Sequence, residues 1–155
     1  MKFMKSPLFL LSAIGLGVLT PTFSPASFPA GTDNFADAPL LTTQNDTSLS
    51  TSLGTATKET GEPGHHPGEY DGAGKSVWWK WTAPEAGFCF VDTITPAYFG
   101  QPVTDTVICV YRGSAFPLTR VADNNNHSTE SFATNANQSK VCFYALAGTT
   151  YSIAV

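Results

Sequence analysis

From about residue 77 onward the chain is dominated by short runs in which apolar and polar positions alternate with a period of two. In 77–82 (VWWKWT), Val77, Trp79 and Trp81 share one phase and Trp78 and Lys80 the other, and Pro84 ends the run. Such alternation predicts a half-buried strand, because successive side chains leave opposite faces of an extended backbone. Further strands are predicted in 88–93 (FCFVDT), 106–113 (TVICVYRG), 118–123 (LTRVAD), 140–145 (KVCFYA) and 149–155 (TTYSIAV). Gly87 opens the first of these, Gly113 stops the second, and Asn124, Asn125 and Asn126 predict a turn. Leu146, Ala147 and Gly148 predict a tight hairpin turn between the last two strands.

Upstream the pattern is weaker. Residues 27–39 read as an entry segment with scattered Pro and Gly, and 40–57 as Thr- and Ser-rich chain with apolar Leu49, Leu53 and Ala56, suited to one or two modest edge strands. Residues 58–75 hold five Gly, two Pro and four acidic residues, which predicts a long loop. A loop of that length inside a compact domain is usually functional or disordered. No helical periodicity of ten or more residues follows the N-terminal segment, and no internal repeat stands out. The expected fold class is all-β, an antiparallel jelly-roll β-sandwich formed as one domain over 40–155.

The N-terminus reads differently. Lys2 and Lys5 precede an apolar run at 7–20, and Ser24-Pro25-Ala26 offers small residues for cleavage, so 1–26 is expected to be a signal peptide. The run of 14 residues is shorter than the roughly 18–20 needed to cross a bilayer as a helix. An exported or cell-surface location follows, with no membrane association after cleavage. Only 13% of the chain is charged and 42% is hydrophobic, which excludes a disordered polyelectrolyte and a coiled coil. The formal net charge of −4 argues against nucleic acid as a partner. Cys89, Cys109 and Cys142 lack metal-binding spacing, and an odd number leaves at least one thiol unpaired. If Val91, Val141 and Phe143 face the core, Cys89 points inward and Cys142 outward, which argues against that pair. Cys109 with Cys142 is the disulfide to examine, against the alternative of buried free thiols acting as small apolar residues.

Several short blocks carry a family likeness. Asp33-Asn34-Phe35-Ala36 is followed by Ala56-Thr57-Lys58-Glu59, Gly61-Glu62-Pro63, Gly74-Lys75-Ser76-Val77-Trp78-Trp79 and Trp81-Thr82-Ala83-Pro84. Then come Gly87, Asp92-Thr93, Asp105-Thr106-Val107, Val110-Tyr111, Gly113, Ala147-Gly148-Thr149-Thr150-Tyr151 and Ile153-Ala154-Val155. From about Asp33 to Val155 the chain resembles the bacterial pre-peptidase C-terminal (PPC-type) domains, accessory modules of secreted peptidases and other exported proteins. The resemblance implies a jelly-roll sandwich without catalytic activity. It also implies a role in binding an extracellular polymer or protein, or in serving an adjacent catalytic domain. The chain departs from the pattern in a longer 93–105 loop, the lack of an attached catalytic domain and an ending at Val155, before the usual Asp-Gly-aromatic close. The last strand is therefore expected to be truncated, and a structural spacer fragment of a larger exported protein is the alternative.

Three sets of side chains invite chemistry. Glu59 and Glu62 lie near Asp33, Asp37, Glu69 and Asp71 in sequence, and Asp92 ends a strand; calcium takes six to eight such hard oxygen ligands. The Glu-x-x-Glu-Pro stretch is similar to the acidic stretch of calcium-binding family members, so calcium stands as the candidate cofactor, with a solvated acidic loop as the alternative. His65 and His66 are adjacent, and on an extended chain they point apart, which disfavours a shared metal. Trp78 with Lys80 is the candidate exposed binding platform, against an outer tryptophan covered by a loop. An autonomous hydrolase is the least supported reading: no GxSxG or HExxH motif occurs, and the protein is expected not to be an enzyme. Three sequons begin at Asn45, Asn126 and Asn137, a pattern that a bacterial-type chain seldom uses.

Overall fold

The structure, a computed structural model, describes residues 29–42, 53–67, 74–94, 105–127 and 137–155. The expectations for 1–26, Asn45, Leu49, Glu69 and Asp71 lie outside the described residues. Among the described residues one short strand, β1 (Leu40–Leu41), lies in the weakly patterned 40–57 stretch, and six appear where the alternation is strongest: β2 (Trp78–Thr82), β3 (Gly87–Asp92), β4 (Val107–Arg112), β5 (Thr119–Asn125), β6 (Lys140–Ala145) and β7 (Thr150–Ala154). The only helical residues among those described form a 3-10 turn, Phe35–Asp37.

The strands make two sheets that do not close into a barrel. One has the order β1-β2-β7-β4-β5, and the other pairs β3 with β6. All neighbours are antiparallel except β1 and β2, which run parallel. Alternation decides which side chains meet between the sheets. Trp79 and Trp81 of β2, Ile108 and Val110 of β4, and Tyr151 and Ile153 of β7 enter the main core from the large sheet. Val91 of β3 and Val141, Phe143 and Ala145 of β6 enter it from the small one. Phe143 and Tyr151 meet across the gap with ring centroids 5.0 Å apart.

The outer face of the large sheet is also buried, in line with the alternative of a covered outer tryptophan. Trp78, Cys109, Tyr111 and Ala154, in the opposite phase of the same strands, form a second cluster with Phe35 and Ala38. Phe116 and Leu118 pack on its margin. This explains why β4 reads as a nearly unbroken apolar run: strands covered on both faces lose their polar phase. The cover is the segment expected only as an entry. Thr32 pairs with Trp78 through Thr32 N–H to Trp78 O at 3.2 Å and Trp78 N–H to Thr32 O at 2.8 Å, and Lys80 N–H donates to Pro39 O at 2.8 Å.

Two local expectations are corrected. The residues Leu146, Ala147 and Gly148 do turn the chain, with Gly148 at φ 71°, but β6 and β7 are not a hairpin because they belong to different sheets. The turn is pinned instead by Gly148 N–H donating to Ala83 O at 2.8 Å, so it bridges the sheets at the end of β2. The asparagine turn starts later than expected: Asn124 and Asn125 complete β5, opposite Ile108 and Val107, and only Asn126 adopts a left-handed conformation.

Gly31 shows how tightly the entry segment is laid down. A Cβ there would lie 2.6 Å from Cζ2 of Trp79, a buried ring whose Nε1–H donates to Pro29 O at 3.2 Å. Gly31→Ala should therefore cost about 1–3 kcal/mol by overpacking, read as a lower thermal unfolding midpoint. An unchanged midpoint would mean that 29–31 does not lie against Trp79.

Candidate functional site

The structure separates the expected site residues into three places. Glu59 and Glu62 come together with His65 and Ser76 beside the second cluster. Glu62 is buried, and its Oε1 accepts from the Ser76 hydroxyl and lies 2.8 Å from His65 Nε2, while Oε2 accepts from Glu59 N–H at 2.8 Å. His65 Nδ1 lies 2.8 Å from the Tyr111 hydroxyl, which rises from β4. Burial alone would raise the Glu62 carboxyl, but hydrogen bonds from His65, Ser76 and the Glu59 N–H, with the attraction of His65, hold it below its ordinary 4.5. Burial pushes the Tyr111 hydroxyl well above its ordinary range, aided by its contact with Cys109, so it remains a neutral group.

His65 and His66 go separate ways, even though the chain bends at both. His66 Nδ1 lies 2.7 Å from Asp123 Oδ2 on β5, and Asp123 Oδ1 is 3.5 Å from Arg120. A bulge between Val110 and Tyr111 sets Arg120 opposite Tyr111, and Arg120 donates to Gly64 O. Asp92 is elsewhere. It lies on the small sheet opposite Lys140, and its Oδ1 accepts from Ile94 N–H at 3.2 Å, a local turn bond. Among the described residues, no three His, Cys, Asp or Glu side chains are grouped to hold a metal ion.

Trp78 does leave the outer face, but it is no platform: its exposure is 0%. Four rings enclose it, with centroids 5.1 Å away for Phe35, 5.4 Å for His65, 5.8 Å for Tyr111 and 6.1 Å for Phe116. Its Nε1–H meets no acceptor among the described residues. Lys80 is half-buried and pins the cover, its ammonium 4.9 Å over the Phe35 ring and 3.3 Å from Ala36 O. The exposed tryptophan platform is thus corrected to a covered one. None of the three thiols is joined in a disulfide: Cys109 is buried in the second cluster, Cys89 is half-buried and Cys142 is exposed. The Cys109–Cys142 disulfide does not form, because Cys109 leaves the large sheet on its outer face and Cys142 leaves the small sheet on the face turned away from the core.

The rings that do face solvent lie on the other sheet. Phe88 is 66% exposed, Tyr144 53% and Phe90 37%. The β3–β6 register places Phe88 opposite Tyr144 and Phe90 opposite Cys142, all on the face turned away from the core. The first pair meets edge to face at 5.2 Å, and Lys140 lies 5.4 Å over Phe90. The phase argument that sent Val91 and Phe143 inward also sends these residues outward. What it lacked was the pairing of β3 with β6, which turns two separate aromatic runs into one patch.

No protein-family model, curated protein or solved structure matches the chain.

The charge on Glu62 makes a pH prediction. Its folded value is below the unfolded one, so its contribution is complete above about pH 4.5 and is lost as pH falls through the folded value. The unfolding midpoint of the wild type should fall more steeply between about pH 6 and pH 3 than that of Glu62→Gln. Parallel curves would show that the Glu62 charge adds no stability.

Proposed function

We propose that the protein is an exported, non-catalytic binding module whose working surface is the outer face of the β3–β6 sheet. The observation that carries this reading is the set Phe88, Phe90 and Tyr144, left in solvent on one face of two paired strands. Scattered apolar residues on a surface are ordinary, but a clustered patch marks a contact surface. The signal-like segment 1–26 supports export, and the resemblance to PPC-type domains supports an accessory role and a jelly-roll course for the two sheets. The partner is an extracellular polymer or protein, including a neighbouring catalytic domain.

A hydrolytic reading has less support from the same geometry. Ser76, His65 and Glu62 are close, but the carboxylate stands between the serine and the histidine, both of which meet Oε1. A nucleophile relay needs the imidazole between them, positioned to take the hydroxyl proton. Ser76 is also 1% exposed, out of reach of a substrate.

The test is retention of the full chain on the insoluble surface fraction of the secreting cells, compared with Phe88→Ser/Tyr144→Ser. The reading expects the double variant to lose at least about tenfold in retention, as removal of two aromatic anchors does, with an unchanged unfolding midpoint. Equal retention of both proteins would overturn the choice of surface, and no retention of the wild type would favour the spacer reading.

A further inference from the structure

The acidic stretch that the family resemblance assigns to calcium has other work in this chain. Calcium requires six to eight oxygens whose lone pairs converge on one point. Here the carboxylates point at protein donors instead. Asp33 accepts from Thr57 N–H at 2.6 Å with Oδ1 and from the Thr57 hydroxyl at 2.8 Å with Oδ2. Glu59 Oε2 accepts from Phe35 N–H at 2.6 Å, and both oxygens of Glu62 are engaged by Glu59, Ser76 and His65. Asp92, the remaining expected ligand, is bound into its own turn on the small sheet. The described carboxylates Asp33, Glu59, Glu62 and Asp92 therefore do not fit the ion.

We infer that Asp33, Glu59 and Glu62 form a metal-free clasp that fastens the entry segment over Trp78. The bonds are reciprocal: a carboxylate of the entry segment reaches the 57–59 stretch, and a carboxylate of that stretch reaches back, each across 24 residues of sequence. The equal offset means that 33–35 and 57–59 run side by side in the same direction. Glu62 ties this pair to the sheet. Its backbone N–H donates to Glu59 O at 3.1 Å while its carboxylate accepts from Glu59 N–H, which closes the turn. From there the Ser76 hydroxyl and His65, which meets Tyr111, connect it to the large sheet. The carboxylates thus join directly the segments that an ion would have joined through its coordination shell.

The two roles make opposite demands on position 59. A clasp needs one acceptor oxygen facing Phe35 N–H, which glutamine still offers; a calcium site needs the charge. Glu62 differs, since three donors meet its two oxygens and an amide NH2 would face one of them without an acceptor.

The experiment is thermal unfolding of the full chain in millimolar calcium chloride and in chelator, for wild type, Glu59→Gln, Glu59→Ala and Glu62→Gln. The clasp predicts coincident wild-type midpoints in the two buffers, a near wild-type Glu59→Gln, and midpoints several degrees lower for Glu59→Ala and Glu62→Gln in both. A higher wild-type midpoint in calcium would overturn it, as would Glu59→Gln falling as far as Glu59→Ala, or Glu59→Ala losing nothing. Should a variant fail to fold, NMR of the wild type decides. The Phe35 and Thr57 amide protons should resonate downfield in chelator and stay in place on calcium addition; saturable movement would overturn the clasp.

Discussion

The enclosure of Trp78 is the constraint on which the rest of the arrangement depends. A tryptophan side chain buries about 150–250 Å², which at roughly 25 cal/mol per Å² is on the order of 4–6 kcal/mol before ordering costs. β2 lies between the edge strand β1 and the central strand β7, and its phase sends Trp79 and Trp81 to the core between the sheets. Trp78 must then leave the other way, onto a face that water would otherwise wet. The chain answers with Phe35 from the entry segment, His65 from the acidic loop, and Phe116 from the β4–β5 connection, with Tyr111 beside it on the sheet.

Covering an apolar face brings backbone and side-chain polar groups with it, and these need partners once water is gone. That need accounts for the chemistry of the acidic loop. Phe35 cannot reach Trp78 without burying part of its own backbone, and Glu59 supplies the acceptor. Glu62 could not stay ionised in a buried place without converging donors, and Ser76, His65 and Glu59 provide them. The carboxylates and the imidazole that look like chemistry in the sequence form, with Ser76, the polar framework of a second core. The aromatic surface left in solvent lies on the small sheet, which has no such cover among the described residues.

Much of the fold was legible because period-2 alternation is a local signal. Six strands lie where it placed them, within one or two residues, and the inward and outward phases of Val91, Cys142 and Phe143 hold. Pairing was not legible, since a turn residue such as Gly148 fixes a local bend and says nothing about which sheet the next strand joins. The same gap hid the patch on β3 and β6, whose rings are 56 or so positions apart and meet only through the register. Trp78 and the acidic loop stayed open between two readings for a related reason. A residue in the outward phase is exposed only if nothing covers that face, and the cover came from a segment with no pattern of its own. Carboxylates in a Gly-rich stretch look the same in sequence whether they await a cation or accept from a backbone 24 residues away.

The most direct test of the two-core account is amide hydrogen exchange of the full chain, read over 32–38. Thr32, Phe35, Asp37 and Ala38 donate to Trp78 O, Glu59, Asn34 O and Phe35 O respectively, and the cover is predicted to open only with the sheet beneath it. The account predicts protection of these amides close to that of β2 and β7. Exchange within seconds, while β2 and β7 remain protected, would contradict it, for Trp78 would then be the foundation of nothing but an open face.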